Sequence, residues 1–169
     1  MTGFTRAARA EDLPAIDGLF RTSFGGTFGH LYSAEDLATF LADFTPQAWR
    51  RVHDDPRFAL RLAELDGRAV GFAKIGPMAL PADHSPAAVQ LYQLYLLDEA
   101  KGRGIAGELM EWVFAEARAR GADELFLSVF VDNQRARRFY QRRGFIDVGP
   151  YHFMVGNQAD EDVVMKVAL

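Results

Sequence analysis

The spacing of apolar residues changes several times along this chain, and each change marks a predicted secondary-structure element. Alternation from Phe4 to Ala7 predicts a short strand. The next segment predicts an amphipathic helix, because its apolar residues recur three or four positions apart. They are Leu13, Ile16, Leu19 and Phe20. We expect Gly25, Gly26 and Gly29 to end this helix, since glycine is unfavourable in a helix interior.

Two further helices are predicted before the period changes to that of strands. Ser33 can cap a helix through SAEDLATFL, with Glu35 or Asp36 near its positive end, and TPQAWRRVHDD predicts another helix. The segments RFALRLAEL and GRAVGFAKI then alternate with a period of two, and the Asp66-Gly67 pair between them is a hairpin-turn signal. The pattern therefore predicts two antiparallel strands.

The second half of the chain alternates strands with helices. The nearly continuous apolar run AVQLYQLYLL predicts a central strand buried on both faces. A glycine-rich loop follows, then a helix from Glu108 to Arg120, the strand ELFLSVF, the helical segment NQRARRFYQRRGF and two terminal strands. Neither a linker nor a repeat interrupts this order. Residues 1–169 therefore predict one α/β domain with a mixed sheet flanked by helices.

Composition and charge disfavour several kinds of partner and site. The 169 residues are 49% hydrophobic and carry a net charge of −4, which suits one core and argues against a nucleic-acid partner. The chain has no cysteine, and its scattered histidines lack metal-ligand spacing, so we expect neither a thiol nucleophile nor a metal. With no apolar run of about 20 residues and no secretory signal in MTGFTRAARAEDL, we expect a cytoplasmic protein without a membrane partner.

The loop KGRGIAG, residues 101–107, places three glycines between the predicted buried strand and the next helix. Glycine lets the backbone approach a ligand closely, and the first amides of a helix point outward without partners. Together they favour an anion such as phosphate, although glycines can also serve only to make a turn and cap a helix. The loop lacks the Gly-Lys-Ser/Thr ending of a P-loop, and it follows an antiparallel hairpin rather than the first strand of a Rossmann unit. Neither standard nucleotide motif fits.

Two motifs of this chain resemble those of the GNAT superfamily of acyl-CoA N-acyltransferases. The first, Gln/Arg-x-x-Gly-x-Gly/Ala, is similar to Lys101-Gly102-Arg103-Gly104-Ile105-Ala106, with Lys in place of Gln or Arg. The second, Asn-x-x-Ala-x-x-x-Tyr-x-x-x-Gly-Phe, is matched at Asn133, Ala136, Tyr140, Gly144 and Phe145. The flanking segments TSFGGTFGHLYSAEDLATFL and HFMVGNQADEDVVMKVAL resemble those of bacterial PaiA-type polyamine N-acetyltransferases.

The resemblance implies a mixed, mostly antiparallel GNAT-type sheet with acetyl-CoA as co-substrate beside the fourth strand. It places the pyrophosphate on residues 102–107, the pantetheine beside residues 94–97, and the thioester carbonyl near the amide of Leu96. Such an amide stabilises the oxygen charge that develops during acyl transfer. The expected cofactor-binding residues are Leu94, Tyr95, Leu96, Lys101, Gly102, Arg103, Gly104, Ile105, Ala106, Gly107, Asn133 and Tyr140.

The second motif suggests roles for the residues of its helix. Tyr140 is the predicted catalytic residue, a general acid near the departing sulfur, and its alternative role is a core aromatic. Asn133 can cap the helix, contact CoA, or do both. At most one or two of the helix's arginines are expected to meet the adenosine phosphate, the others forming a solvated face. These arginines are Arg135, Arg137, Arg138, Arg142 and Arg143.

A general base is not evident in the sequence. Many relatives carry Glu early in the fourth strand, where this chain reads Gln90-Leu91-Tyr92-Gln93. Glu35, Asp36 and His84 are candidates for the base, and the alternatives are a water chain or an amine that arrives already neutral. Tyr92 is either part of the acceptor pocket or core. An ammonium substrate, with a pKa of about 10, must lose a proton before it attacks.

The acceptor is expected to be a small-molecule primary amine, and a polyamine by resemblance of the flanks. The helices from Asp12 to Phe44 should form one wall of its site, where Glu35, Asp36 or Asp43 can pair with a distal ammonium. The alternatives are a peptide N-terminus or another small amine, a silent acyl-CoA-binding sensor domain, and a structural or partner-binding domain. We expect a monomer or a homodimer.

Overall fold

One sheet flanked by helices makes up the computed structural model, which describes residues 3–169. The strands are β1 Gly3–Ala7, β2 Ala59–Leu65, β3 Arg68–Pro77, β4 Val89–Leu96, β5 Glu124–Phe130, β6 Ile146–Val155 and β7 Gln158–Ala168. The helices are α1 Leu13–Phe28, α2 Ala34–Leu41, α3 Pro46–Asp54, α4 Ile105–Ala119 and α5 Gln134–Gln141. The predicted fold class, a mixed α/β sheet flanked by helices, is confirmed.

The sheet contains a split between its two central strands. Seven strands lie in the order β1-β2-β3-β4-β5-β7-β6, and every neighbouring pair is antiparallel except the parallel pair β4–β5. That pair joins Val89 to Leu125 and Gln90 to Phe126. Beyond these positions the described parts of β4 and β5 share no ladder, so the strands diverge and leave a gap in the middle of the sheet.

Each face of the sheet packs against its own helices. On one face α4 buries Leu109, Met110 and Val113 in a cluster with residues of β3, β4 and β5. On the other face α1 and α3 bury Phe20 and Trp49 against β2 and β3. The end of β4 beside the split contributes to both clusters, with Leu94 and Leu96 packed against the first and Tyr95 against the second.

The structure corrects the predicted end of the first helix. α1 continues through Gly25 and Gly26 to Phe28 instead of ending at the glycines. Phe24 and Phe28 lie 5.3 Å apart between ring centroids, and Phe28 meets Phe130 of β5 edge-on at 6.2 Å. This tertiary packing offsets the cost of glycine in a helix interior, about 1 kcal/mol per residue.

Most other predicted boundaries agree with the structure. The Ser33 hydroxyl accepts a hydrogen bond from the N-terminal turn of α2 at 3.0 Å, as a helix cap does. Asp66 and Gly67 take positive φ values of 50° and 76° in the hairpin turn. α4 begins at Ile105 rather than Glu108. None of the helices within residues 3–169 has both the length and the apolar character needed to cross a membrane.

The prediction that β4 is buried on both faces is wrong for the end of the strand. Its last three residues, Leu94 to Leu96, are only half-buried, whereas burial on both faces was expected. The physical reason is the divergence of β5, which leaves this part of β4 without a neighbour on that side. The exposed edge becomes part of a cleft.

Candidate active site

The split between β4 and β5 opens into a cleft of about 780 Å³. On one side it is bordered by the loop before α4 and by α5, and we call this the loop side. On the other side it is bordered by α1 and α2, whose contribution is mainly aromatic, and we call this the aromatic side. Ten of the residues predicted to bind the cofactor line it: Leu94, Tyr95, Leu96, Lys101, Gly102, Gly104, Ala106, Gly107, Asn133 and Tyr140.

Two of the predicted cofactor-binding residues do not line the cleft with their side chains. Ile105, the first residue of α4, is 3% exposed, and its side chain packs in the core between α4 and the sheet. The Nε of Arg103 donates to the carbonyl of Glu99 at 2.7 Å. Any contact of Ile105 with a phosphate would therefore use its backbone amide.

On the loop side, the segment of residues 101–107 has the backbone geometry of an anion site. Gly102 and Gly104 take φ values of 76° and 83°, in the left-handed region that favours glycine. Gly104 is the N-cap of α4 without a side-chain cap, so the amides of Ile105 and Ala106 begin the helix without helical partners. A Cβ placed on Gly102 or Gly104 would meet no atom within 4 Å. The loop therefore offers amides and space that fit a phosphate group.

α5 brings arginines and a capping asparagine to the loop side. The Oδ1 of Asn133 accepts from the amide of Ala136 at 3.2 Å, which confirms its capping role. Three of the five arginines line the cleft, and which of them meets the adenosine phosphate stays a prediction: Arg135, Arg142 and Arg143. Arg137 instead pairs with Asp147 at 2.9 Å.

Tyr140 lies between the core and the cleft. It is 9% exposed, and its ring contacts Phe139 and Phe145 at centroid distances of 5.3 and 5.6 Å. Burial raises the pKa of its hydroxyl above the ordinary value of 10, with Arg143 acting in the opposite direction. The phenol is therefore protonated at neutral pH. Tyr140 is thus packed in the core and also borders the cleft. The catalytic role of Tyr140 stays a prediction.

A bulge in β4 shapes the middle of the cleft. Lys74 of β3 pairs with Gln93 while the next residue pairs with Leu91, so Tyr92 is the extra residue on β4. The Tyr92 hydroxyl donates to the carbonyl of Pro77 at 2.6 Å, and the residue lines the cleft. The stretch of β4 where many relatives carry Glu thus contains two glutamines, and its pairing with β3 is interrupted by the bulge.

The two glutamines of β4 have different surroundings. The Oε1 of Gln90 accepts from the amides of Ala79 and Leu80 at 3.0 and 3.2 Å, and therefore holds the loop after β3. Gln93 lines the cleft and is 8% exposed, and its Oε1 has no hydrogen-bond partner among the described residues. Buried polar atoms are rarely left unpaired, so Gln93 indicates a polar ligand in the cleft.

The aromatic side is formed by the segment that was predicted to be a wall of the acceptor site. Its rings come from α1, α2, the segments after them and β6: Phe20, Phe24, Phe28, Tyr32, Phe40, Phe44 and Phe153. Aromatic faces carry partial negative charge and attract cations. The wall is thus suited to an apolar or cationic group.

The structure does not place the predicted acids and histidine at the cleft. Glu35 and Asp43 are exposed, and neither borders the described cleft. Asp36 accepts from the amide of Asn157 at 2.8 Å and so ties α2 to the β6–β7 turn. His84 hydrogen-bonds the carbonyl of Ser85 at 2.7 Å, away from the described lining residues.

Two carboxylates that sequence reasoning missed do line the cleft. Asp160 and Asp162 of β7 are 5% and 8% exposed. Asp160 accepts hydrogen bonds from the Tyr32 hydroxyl and from Gln158. Burial and the charge of Asp160 raise the pKa of Asp162 to about 6, against a hydrogen bond from Ser128 that lowers it. The available signal was their spacing, since residues two apart on a strand share a face.

A lysine also reaches the cleft. Lys74 is half-buried, and its ammonium lies 5.0 Å from the Tyr92 ring centroid and 5.8 Å from the Trp49 ring centroid. Burial lowers its pKa to about 8. The cleft therefore holds a cation near β3 and carboxylates on β7.

Comparison with known proteins identifies the family. The acetyltransferase (GNAT) family matches residues 15–145. An uncharacterized N-acetyltransferase of Mycobacterium tuberculosis is 38% identical over 132 residues, 78% of this chain and 81% of that protein. The chain belongs to the GNAT family of acetyltransferases.

Two further acetyltransferases are similar to this chain. An aminoalkylphosphonate N-acetyltransferase of Salmonella typhimurium is 32% identical over 54% of this chain and 58% of its own length. The crystal structure of the PaiA N-acetyltransferase from Thermoplasma acidophilum in complex with coenzyme A matches with a TM-score of 0.79 and 20% identity over 100% of both chains. At that identity the likeness shows the fold alone, and it agrees with the seven-stranded split sheet.

Proposed function

We propose that this GNAT acetyltransferase moves the acetyl group of acetyl-CoA to a primary amine that enters from the aromatic side of the cleft. The observation that carries the proposal is the composition of the cleft, which joins a glycine loop suited to phosphate to an aromatic wall with buried carboxylates. When bound, acetyl-CoA supplies an activated acetyl thioester. The residues of this chain position the two substrates and move the protons.

The loop side binds the nucleotide end. The amides at the start of α4 and the positive φ glycines Gly102 and Gly104 accommodate the pyrophosphate. The half-buried edge of β4 at residues 94–96 offers backbone groups without a ladder partner on the β5 side, so an extended pantetheine can pair with it as an added strand does. Tyr140 keeps its proton at neutral pH and can deliver it to a departing thiolate.

The first acceptor candidate is a polyamine such as spermidine. The buried carboxylates of Asp160 and Asp162 and the surrounding aromatic rings favour a cationic amine over a neutral one. Because charge pairing contributes to its binding, raising the salt concentration should raise the Michaelis constant for a polyamine more than that for acetyl-CoA.

A second acceptor class is an amine that also carries an anionic group. Lys74 favours it, because this lysine lines the same cleft and its pKa is lowered by burial with no compensating acid. The Salmonella relative named as an aminoalkylphosphonate N-acetyltransferase would have such a substrate. A bound phosphonate or carboxylate would pair with the Lys74 ammonium and raise its pKa back toward the ordinary value.

Two measurements test the proposal. Acetyl-CoA at about 100 times its dissociation constant should stabilise the protein by roughly 2.7 kcal/mol in a thermal-shift experiment. Thiol release should then be followed with polyamines, aminoalkylphosphonates, amino acids and N-terminal peptides. No thermal shift would indicate a structural domain, and a shift without thiol release from any amine would indicate a silent acyl-CoA sensor.

A further inference from the structure

We infer that Asp162 is the general base of this enzyme, accepting a proton from the ammonium group of the incoming amine. The inference rests on the proposed function. A primary ammonium has a pKa of about 10 and cannot attack until it loses a proton. Since β4 has no carboxylate, a side-chain base would have to come from another element that lines the cleft. Among the described residues that line it, the carboxylates are Asp160 and Asp162.

The register of the sheet places Asp162 beside the split. β7 lies next to β5, and Asp162 pairs with Phe130 at the end of β5 that diverges from β4. Ser128 lies two residues before Phe130 on β5, also lines the cleft, and interacts with the Asp162 carboxyl so as to lower its pKa. Asp162 therefore stands at the edge of the gap where the acyl group of a β4-bound thioester would face the aromatic side.

Asp162 and the predicted acid, Tyr140, both act on one residue of β4. Burial raises the pKa of Tyr95, and electrostatic interactions with Tyr140 and Asp162 raise it further. Tyr95 therefore lies within the influence of both Tyr140 and Asp162. The proton donor and the proposed base thus border the same stretch of the cleft.

The two carboxylates differ in how their oxygens are used. One oxygen of Asp160 accepts from the Tyr32 hydroxyl, and the other accepts from Gln158 at 3.2 Å. The Asp162 carboxyl interacts with Ser128, which lowers its pKa, and keeps capacity to accept from a further donor. Asp160 is therefore the anchored neighbour whose negative charge increases the proton affinity of Asp162.

Two unpartnered buried oxygens indicate the rest of the ammonium site. The Oγ of Ser23 and the Oε1 of Gln93 have no hydrogen-bond partner among the described residues, although each residue is 8% exposed and lines the cleft. An ammonium has three N–H donors. Ser23, Gln93 and Asp162 thus offer acceptors from α1, β4 and β7 to the same cleft, and these are the groups that we assign to the ammonium.

The proton balance is complete with these groups. Asp162 takes one proton from the ammonium and leaves a neutral amine, whose lone pair forms the carbon–nitrogen bond as the carbon–sulfur bond breaks. Tyr140 gives its proton to the sulfur and is reprotonated by the second proton that leaves the nitrogen. Asp162 then releases its proton to solvent. No oxidant, metal or further reactant is required.

The surroundings of Asp162 set the pH range in which it can act. The titratable groups that interact with it are Asp160 on its own strand, Tyr95 on β4 and Tyr32 before α2. Both tyrosines are held protonated by raised pKa values, and the neighbour whose charge raises the pKa of Asp162 is Asp160. With a pKa of about 6, Asp162 is a carboxylate at pH 7.5 and is lost as a base below pH 6.

The test compares Asp162→Asn with Glu161→Gln in the full chain. Glu161 is the adjacent residue of β7, carries the same charge and is exposed. With the best amine of the panel, Asp162→Asn should lower kcat/KM by about 10² to 10⁴. Its residual rate should rise about tenfold per pH unit up to the pKa of the amine, because only the neutral amine then reacts. Glu161→Gln should keep the wild-type rate and an acid limb near pH 6.

Two readouts do not depend on turnover. Acetyl-CoA affinity by calorimetry should change less than about twofold in Asp162→Asn, and carbon NMR should titrate the Asp162 carboxyl near pH 6 in the ligand-free protein. Ser128→Ala, which removes a hydrogen bond to the charged form, should move this titration to higher pH.

Several results would overturn the inference. An active wild-type enzyme with an unchanged pH profile in Asp162→Asn would remove the base and leave the proposed function standing. Loss of acetyl-CoA binding or of folding in Asp162→Asn, or a carboxyl titration near 4, would assign Asp162 a structural role. A wild-type protein that binds acetyl-CoA but acetylates no amine would instead refute the proposed function, and the base with it.

Discussion

Replacing Asp162 with Asn is expected to make the folded protein more stable at neutral pH. Burial and the charge of Asp160 raise the pKa of Asp162 from 3.8 to about 6, so the folded state favours the protonated form. Because the unfolded chain ionises first, folding stability falls as the pH rises from about 4 through 6. Asn carries no charge and keeps an oxygen that can accept from Ser128.

The size of the effect follows from the pKa difference. A pKa raised from 3.8 to about 6 lowers the free energy of unfolding by about 3 kcal/mol at pH 8, relative to a side chain that stays neutral. At pH 5 the loss is about half as large. Since the cleft is open to solvent, screening reduces the value, and we expect about 2 kcal/mol at neutral pH. For a chain of 169 residues this corresponds to an increase in Tm of about 4 to 8 °C.

Urea unfolding of the ligand-free protein measures this difference. The wild type, Asp162→Asn and Glu161→Gln should be compared at pH 5, 6, 7 and 8, so that other titrating groups cancel. The advantage of Asp162→Asn should grow from pH 5 to 7 and then level off, while Glu161→Gln stays within about 0.5 kcal/mol of the wild type. A variant less stable than the wild type, or a difference independent of pH, would refute the claim that the fold buries an unfavourable charge here.

Three other substitutions separate the roles of the cleft residues. Gly104→Asp should weaken acetyl-CoA binding at least tenfold by calorimetry. The control is Gly121→Asp, because Gly121 follows α4 and has a similar φ of 75°. Gly121→Asp should lower the stability of the protein as Gly104→Asp does, but should leave acetyl-CoA affinity unchanged. Tyr140→Phe should lower kcat about tenfold or more while acetyl-CoA affinity is kept, and equal turnover would make Tyr140 structural. Lys74→Met should raise the KM of an anionic amine and not that of a polyamine; unchanged values for both would exclude Lys74 from the acceptor site.

Local chemistry determined much of this protein. The cap at Ser33, the hairpin turn at Asp66-Gly67 and the glycine loop around Gly104 each depend on residues that are close together in the chain. The cofactor motifs could be recognised in the sequence for the same reason, since a phosphate-binding loop is built from consecutive backbone amides. Where a local rule failed, as at Gly25 within α1, aromatic packing from distant segments outweighed it.

The acceptor side of the cleft was decided by the tertiary structure. The alternation of Asp160 and Asp162 shows that they share a face, but the chain order alone does not show that β7 inserts between β5 and β6. That insertion brings Asp162 to the split sheet, more than 65 residues along the chain from Tyr95. Burial then raises its pKa, and burial is a property of long-range packing rather than of neighbouring residues. The sequence by itself therefore determined the elements and the cofactor loop, whereas strand order and the divergence of β4 from β5 decided which acids face the acceptor.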